Sequence, residues 1–436
     1  MPQSPTPPKP DLAARRANIA KALDLKDELL LVGAGEAIGI PGGMDQTYPF
    51  LAHSEYFYLT DEECEGGVVA FDPKSGWTDF VPEVTQAQRV WEGRTQVPGT
   101  PLPALAAWMA ARRGRPIAML GSKLPGITAD AAKTTTIRDA FTHARRPKDA
   151  AEIARMKLAV AASLPGYAAA RRVIAEAAAG KAVTERDVQT EMEAEFFRNG
   201  ATRTCYSSLV GAGSNAAILH VDPSSRLLKP GDLVLIDAGA EVRRYGADVT
   251  RTYFCGPVDS VRQELYAIVN RAFDRAIAAC TVGAEWLDVH FAAATDMADG
   301  LVQMGVLKGN ATALVESDAA ALFFPHGLGH LIGLGVRDAS GRMPGRQQST
   351  RPGLSKLRMD IPLGAGYTTT VEPGLYFIAA LINDPENRTK HKDAVNWPLV
   401  DKLLASGIGG VRIEDNIHVT PAGPENLTGG IPRTIN

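Results

Sequence analysis

The chain is poor in features that mark several large protein classes. It has 4 cysteines in 436 residues, and Cys64, Cys205, Cys255 and Cys280 include no C-x-x-C pair, which excludes a zinc ribbon or a disulfide framework. No run of about 18 apolar residues is long enough to cross a bilayer as a helix. The proline-rich opening MPQSPTPPKP has no apolar stretch of the secretory kind. A cytoplasmic protein without a membrane partner is therefore expected. Excess charge is also lacking: a formal net charge of −3 with 22% charged residues argues against nucleic acid as a partner.

What the sequence does have is length and a globular composition, 45% hydrophobic, which suggest two domains. From Glu28 to about Gly121, short apolar runs (LLLVG, YFYL, GGVVAF, PIAML) alternate with helical stretches, the pattern of a small α/β domain. Gly33-Ala-Gly35 followed by Gly39 is one residue out of step for a dinucleotide fingerprint. The polar segment Ala144-Arg-Arg-Pro-Lys-Asp-Ala precedes a long Ala-rich helical pattern, so the domains are expected at 1–148 and 149–436. The second reads as α+β. Its expected elements are a helix opened by a capping-box-like Thr184-x-x-Asp187, strands around 203–210 and 233–254, helices near 259–280 and 285–305, and further strands from 365.

Four stretches carry the chemistry. Pro230-Gly-Asp-Leu-Val-Leu-Ile-Asp237 is an apolar strand ending in a carboxylate, and Tyr245-Gly-Ala-Asp248-Val-Thr brings a second one eleven positions later. If the two strands form a hairpin, both acids converge; the alternative is a pair of turn-capping aspartates. Phe324-Pro-His326-Gly-Leu-Gly-His330 sets two histidines in an apolar context that favours neutral, metal-ready rings. Thr370-Val-Glu372-Pro and Ile413-Glu414-Asp each place a glutamate where a sheet normally takes an apolar group. Four acids with one histidine make an oxygen-rich set suited to hard cations, and about four negative charges call for two dications.

These motifs, in this order, resemble the creatinase/prolidase branch of the methionine-aminopeptidase-like "pita-bread" metallopeptidases, and most closely the prolidases (Xaa-Pro dipeptidases). The similarity runs from about Pro49 to the C-terminus. It implies an α+β chain with a small α/β N-terminal domain, contributing to dimerisation, before a pita-bread catalytic domain. It also implies two divalent metal ions per subunit, manganese before cobalt or zinc, held by Asp237, Asp248, His330, Glu372 and Glu414. By the resemblance Glu372, His326 and His220 act in catalysis and Arg412 buttresses a ligand carboxylate. Arg358 matches an arginine that grips the free carboxylate of a dipeptide, and Gly429-Gly-Ile-Pro-Arg-Thr is a prolidase-like ending. Tyr206 and Leu209 match the substrate pocket. Trp91 matches a tryptophan that reaches a partner's site, implying a homodimer. The expected activity is hydrolysis of Xaa-Pro dipeptides.

The chain also departs from the pattern. Val336-Arg337-Asp338 stands where the family reads V-H-D, so Arg337 replaces a histidine that contacts substrate. Two alternatives to the dipeptidase reading remain. One is an aminopeptidase P acting on longer Xaa-Pro peptides; the other is a silent binding protein on the same fold.

Overall fold

The protein is described by a computed structural model over residues 6–433. The first five residues of the proline-rich opening, and Thr434 of the prolidase-like ending, lie outside the described residues. Two compact units divide between Arg145 and Arg146, the first being Lys9–Arg145 and the second residues 146–433 with residues 6–8. Among the described residues no helix is long and apolar enough to cross a membrane.

In the first unit, a five-stranded sheet runs in the order Thr100–Pro101, Gly76–Val81, Val68–Asp72, Leu29–Gly33, Ile117–Gly121. The run LLLVG forms the strand Leu29–Gly33, buried at every position. Such unbroken apolar runs suit a strand covered on both faces. It pairs parallel with Ile117–Gly121 and antiparallel with Val68–Asp72.

The second unit begins with the helix Ala150–Ala178, where Asp149 and Glu152 cap each other reciprocally, satisfying amide groups that a helix start would otherwise leave unbonded. The helix Glu185–Arg198 packs on it and opens with the expected Thr184/Asp187 box. Their approach is close because a Cβ on Gly166 would lie 2.3 Å from the Phe196 ring. The helices Ser260–Ala279 and Trp286–Gln303 back the sheets and share one apolar core through Phe273, Trp286 and Met297.

The sheets of this unit are small and antiparallel, apart from the parallel pair Gly341–Arg342 with Met359–Asp360. The expected strand at 203–210 is instead Arg203–Thr204 and Leu209–Ala212. The stretch 233–254 breaks into Leu233–Ala238, Ala240–Val242, Tyr245–Gly246 and Val249–Phe254. Two features cause the break. Gly239 runs so close to the Ala247 carbonyl that a Cβ would sit 1.9 Å from its oxygen, and Arg243 and Arg244 turn the chain with φ of 50° and 72°. The outer strands nonetheless pair as the predicted hairpin, Asp237 opposite Thr250. Isolated bridges Thr250↔Glu414 and Leu331↔Thr369 then stitch this hairpin and the histidine segment to the strands Thr368–Val371 and Asp415–Thr420, so that acids distant in sequence meet at one end of the sheets.

Candidate metal centre and substrate cavity

Asp237 closes an apolar strand, Asp248 precedes its partner strand, Glu372 follows Thr368–Val371, and Glu414 lies between Gly410–Arg412 and Asp415–Thr420. Each side chain thus sits at a strand end, where backbone pairing fixes its position. Asp248, His330 and Glu414 offer ligand atoms within 4.8 Å of one another, and all three are buried. His330 Nε2 lies 3.4 Å from Asp248 Oδ2 and 3.9 Å from Glu372 Oε1. Asp237 lines the same cavity, its two oxygens accepting from Tyr206 and Arg412. The structure therefore brings all four predicted acids and the histidine to one cavity, three of the five in a tight cluster.

The donor set fits a hard cation. His330 Nδ1 is 3.1 Å from the Leu331 carbonyl, and since a carbonyl only accepts, Nδ1 carries a proton and Nε2, which faces the acids, is the atom placed to ligate a cation. Burial raises the Asp237 and Glu372 carboxyls above their usual range. Burial also pushes Glu414 well up, reinforced by repulsion from Asp248, Glu372 and Asp237. Several buried carboxylates with this much mutual repulsion are a cost unless cations offset them.

Around the cluster runs a hydrogen-bond relay. Thr250 donates its hydroxyl to Glu414 at 2.7 Å and accepts from Arg412 Nε at 2.9 Å. Arg412 also donates to Tyr376 Oη at 3.0 Å. The His326 Nδ1 lies 2.9 Å from the Gly327 carbonyl, so its Nε2 accepts from Tyr376 Oη, also 2.9 Å away. Burial, then Arg412, pulls the His326 pKa down to about 3, which keeps the ring neutral. Asn416 brackets the Asp248 backbone, accepting from its N–H at 3.0 Å and donating to its carbonyl at 2.6 Å. Sequence reasoning passed over Tyr376, Thr250 and Asn416. The one signal for them was polar side chains within otherwise apolar strand sequence.

The cavity has a volume of about 1040 Å³. Tyr206 and Leu209 line it, as do His220, His326, Arg337 and Arg358. His220 and Arg337 are exposed at its mouth. Burial lowers the His220 pKa, with Arg358 as the next cause. Trp91 is 85% exposed on the helix Gln86–Glu92 of the first unit.

Two family profiles match the chain: metallopeptidase family M24 over residues 154–421, and the N-terminal domain of aminopeptidase P over residues 12–136. A probable Xaa-Pro aminopeptidase of Aspergillus niger is 33% identical, covering 81% of this chain and 76% of its own length. One of Fusarium vanettenii is 29% identical over 88% of this chain and 85% of its own. Among solved structures, the Pseudomonas aeruginosa aminopeptidase PepP superposes with a TM-score of 0.77 at 24% identity, covering 99% of this chain and 97% of that one. Escherichia coli aminopeptidase P with the inhibitor Pro-Leu gives 0.77 at 22%, covering 98% and 97%. The fold is thus a mixed α and β chain with an N-terminal domain and a pita-bread catalytic domain.

The dipeptidase expectation is overturned. The relatives carry the aminopeptidase P name and the first unit matches that enzyme's N-terminal domain, so prolidase is not the member of the family this chain resembles most. The physical reason lies in the residues relied on. The metal-site acids are read as common to both enzymes and cannot separate them, and the choice rested on Arg358 and on the ending Gly429-Gly-Ile-Pro-Arg-Thr. That guanidinium stands on the wall of a roomy cavity, 3.9 Å from Glu372, and a cation on the wall of so large a space does not by itself limit peptide length.

Proposed function

The chain belongs to metallopeptidase family M24, and from this premise we propose that it is an Xaa-Pro aminopeptidase, releasing the N-terminal residue from peptides longer than two residues whose second residue is proline. The observation that carries the reading is the match of both units, N-terminal and catalytic, to aminopeptidase P relatives. The cavity supports it, since about 1040 Å³ reaches the upper end of ordinary ligand pockets, which run to roughly 1,000 Å³.

Asp237, Asp248, His330, Glu372 and Glu414 would hold two divalent cations, manganese by preference because the donors are mostly carboxylate oxygens. Bound dications acidify water and polarise a carbonyl. Glu372, 3.9 Å from His330 Nε2 on the wall of the cavity, would shuttle the proton from water toward the departing proline nitrogen. Neutral His326 and His220 face the cavity as hydrogen-bonding groups for the substrate carbonyl. Arg412 and Thr250 fix Asp237 and Glu414 in place, and Tyr206 with Leu209 forms the apolar wall against which the proline ring packs. Trp91 reaches the site of a second copy in a homodimer, which light scattering on the purified protein checks.

The test is an assay of manganese-loaded protein on Ala-Pro-Ala and Ala-Pro. Cleavage of the tripeptide after alanine, abolished by chelator and recovered with manganese, is expected. Cleavage confined to the dipeptide, or indifference to chelator, would overturn the proposal.

A further inference from the structure

Arg337 belongs to no hydrogen bond or ion pair among the described residues, yet it lines the same cavity as Arg358 and Lys356. Arg358 has one acidic neighbour, Glu372 at 3.9 Å, beyond hydrogen-bonding distance. Burial and then Arg358 draw the Arg337 pKa below its ordinary value, so the two guanidiniums feel each other across the cavity. Like charges brought together without a counter-ion are unfavourable. The acids Glu372, Asp248 and Asp237 attract Arg337 in the metal-free protein. Cations held by those acids would cancel that attraction and leave the guanidiniums uncompensated.

Arg337 is also held in position. Its neighbour Asp338 is buried, accepts from Lys148 Nζ at 2.9 Å and from the Leu334 N–H at 3.1 Å, and donates its own N–H to the Leu331 carbonyl at 3.0 Å. The fixed backbone anchors an exposed, unpartnered guanidinium at the cavity wall, so less backbone freedom is lost when it binds an anion.

We infer that Arg337, with Arg358, holds a carboxylate of the substrate, making this chain selective for Xaa-Pro peptides that carry a negative charge within reach of the scissile bond. The inference rests on the aminopeptidase reading and adds its substrate class. The carboxylate has two sources, the C-terminus of a short peptide or an acidic side chain. Planar guanidinium forks match either one.

Three substrate pairs separate the sources: Ala-Pro-Ala against its C-terminal amide, Ala-Pro-Glu-amide against Ala-Pro-Gln-amide, and Glu-Pro-Ala-amide against Gln-Pro-Ala-amide. In the manganese-loaded protein, kcat/KM for the charged member of at least one pair is expected to exceed that of its neutral partner by about tenfold or more, the size of a charge-assisted contact. Arg337→Gln should collapse that ratio toward one, and Arg337→Lys should retain part of it. A second readout does not depend on turnover. Calorimetric binding of the product dipeptide Pro-Ala, its amide, and Pro-Glu-amide should show the same charge preference in the parent protein and its loss in Arg337→Gln. If the parent protein cuts no peptide, the aminopeptidase reading fails while the binding series still decides this inference. Ratios near one in every pair, or ratios unchanged in Arg337→Gln, would overturn it.

Discussion

Arg412 donates to one oxygen of Asp237 while Tyr206 donates to the other, so that this carboxylate enters the cavity already fixed by two partners. The same guanidinium reaches Thr250 and Tyr376, three acceptors in directions that only a planar fork can serve together. Arg412→Lys keeps the charge but loses that geometry. We expect manganese affinity, measured by calorimetry, to fall roughly 10- to 100-fold, the range for removing a group that orients a metal ligand. Unchanged affinity would mean that Arg412 does not position Asp237.

The raised carboxyls give the metal-free protein a pH dependence of definite sign. Asp237, Glu372 and Glu414 have pKa values above their ordinary ones, chiefly through burial. Between the ordinary carboxylate range and those raised values, the folded chain holds protons that the unfolded chain has released. Stability therefore falls as pH rises through this window. Cations displace the protons and remove the mutual repulsion, so manganese should stabilise more at pH 8 than at pH 5.5. Scanning calorimetry with and without chelator measures the gap in Tm, and a gap that does not widen with pH refutes the assignment.

Much of this site could be read from sequence because its acids interrupt apolar strands. A carboxylate closing LVLID is costly to bury without a reason, and the hairpin pairing of Asp237 opposite Thr250 follows from two runs of strand residues with turn signals between them. The split of 233–254 into four strands was not legible, since it depends on Gly239 meeting the Ala247 carbonyl, a contact made only in the fold. Tyr376 and Asn416 escaped notice for a similar reason: their value lies in partners 36 and 168 residues away. Peptide length was misread because Arg358 and the chain's ending were asked to decide it.

Gly329 lies between the two histidines, and a Cβ there would meet the Thr370 carbonyl oxygen at 2.2 Å. That carbonyl is backbone and cannot swing aside. The histidine segment and the strand Thr368–Val371 are joined there by the Thr370 N–H to the His330 carbonyl at 2.8 Å. Gly329→Ala must separate them and carry His330 out of line with Asp248. A displacement of about 1 Å suffices to lose ~100-fold in rate, and overpacking costs ~1–3 kcal/mol of stability. Gly430→Ala, where a Cβ meets nothing within 4 Å, serves as the control. Equal activities in the two variants would show that the segment has slack.

Lys148 and Asp338 form an ion pair with 0% and 2% of their side chains exposed, 2.9 Å apart. The pair ties the start of the second unit to the segment that carries His330 and Arg337. Two charges taken out of water gain little net stability from each other, yet removing one takes a counter-ion from a buried charge, which typically costs ~3–5 kcal/mol. Lys148→Met and Asp338→Asn are therefore each expected to lower stability by about that amount. Asp338→Asn has a second consequence, because Asp338 also accepts from the Leu334 N–H at 3.1 Å, and an amide that rotates to face Lys148 loosens the loop beneath Arg337. Combining Lys148→Met with Asp338→Asn removes both charges together, and the loss should then be smaller than the sum of the two single losses, the mark of coupled neighbours. Urea unfolding of the four proteins measures this through the midpoint at constant slope. Single variants that lose under ~1 kcal/mol would show that water reaches the pair and that the fold does not depend on it.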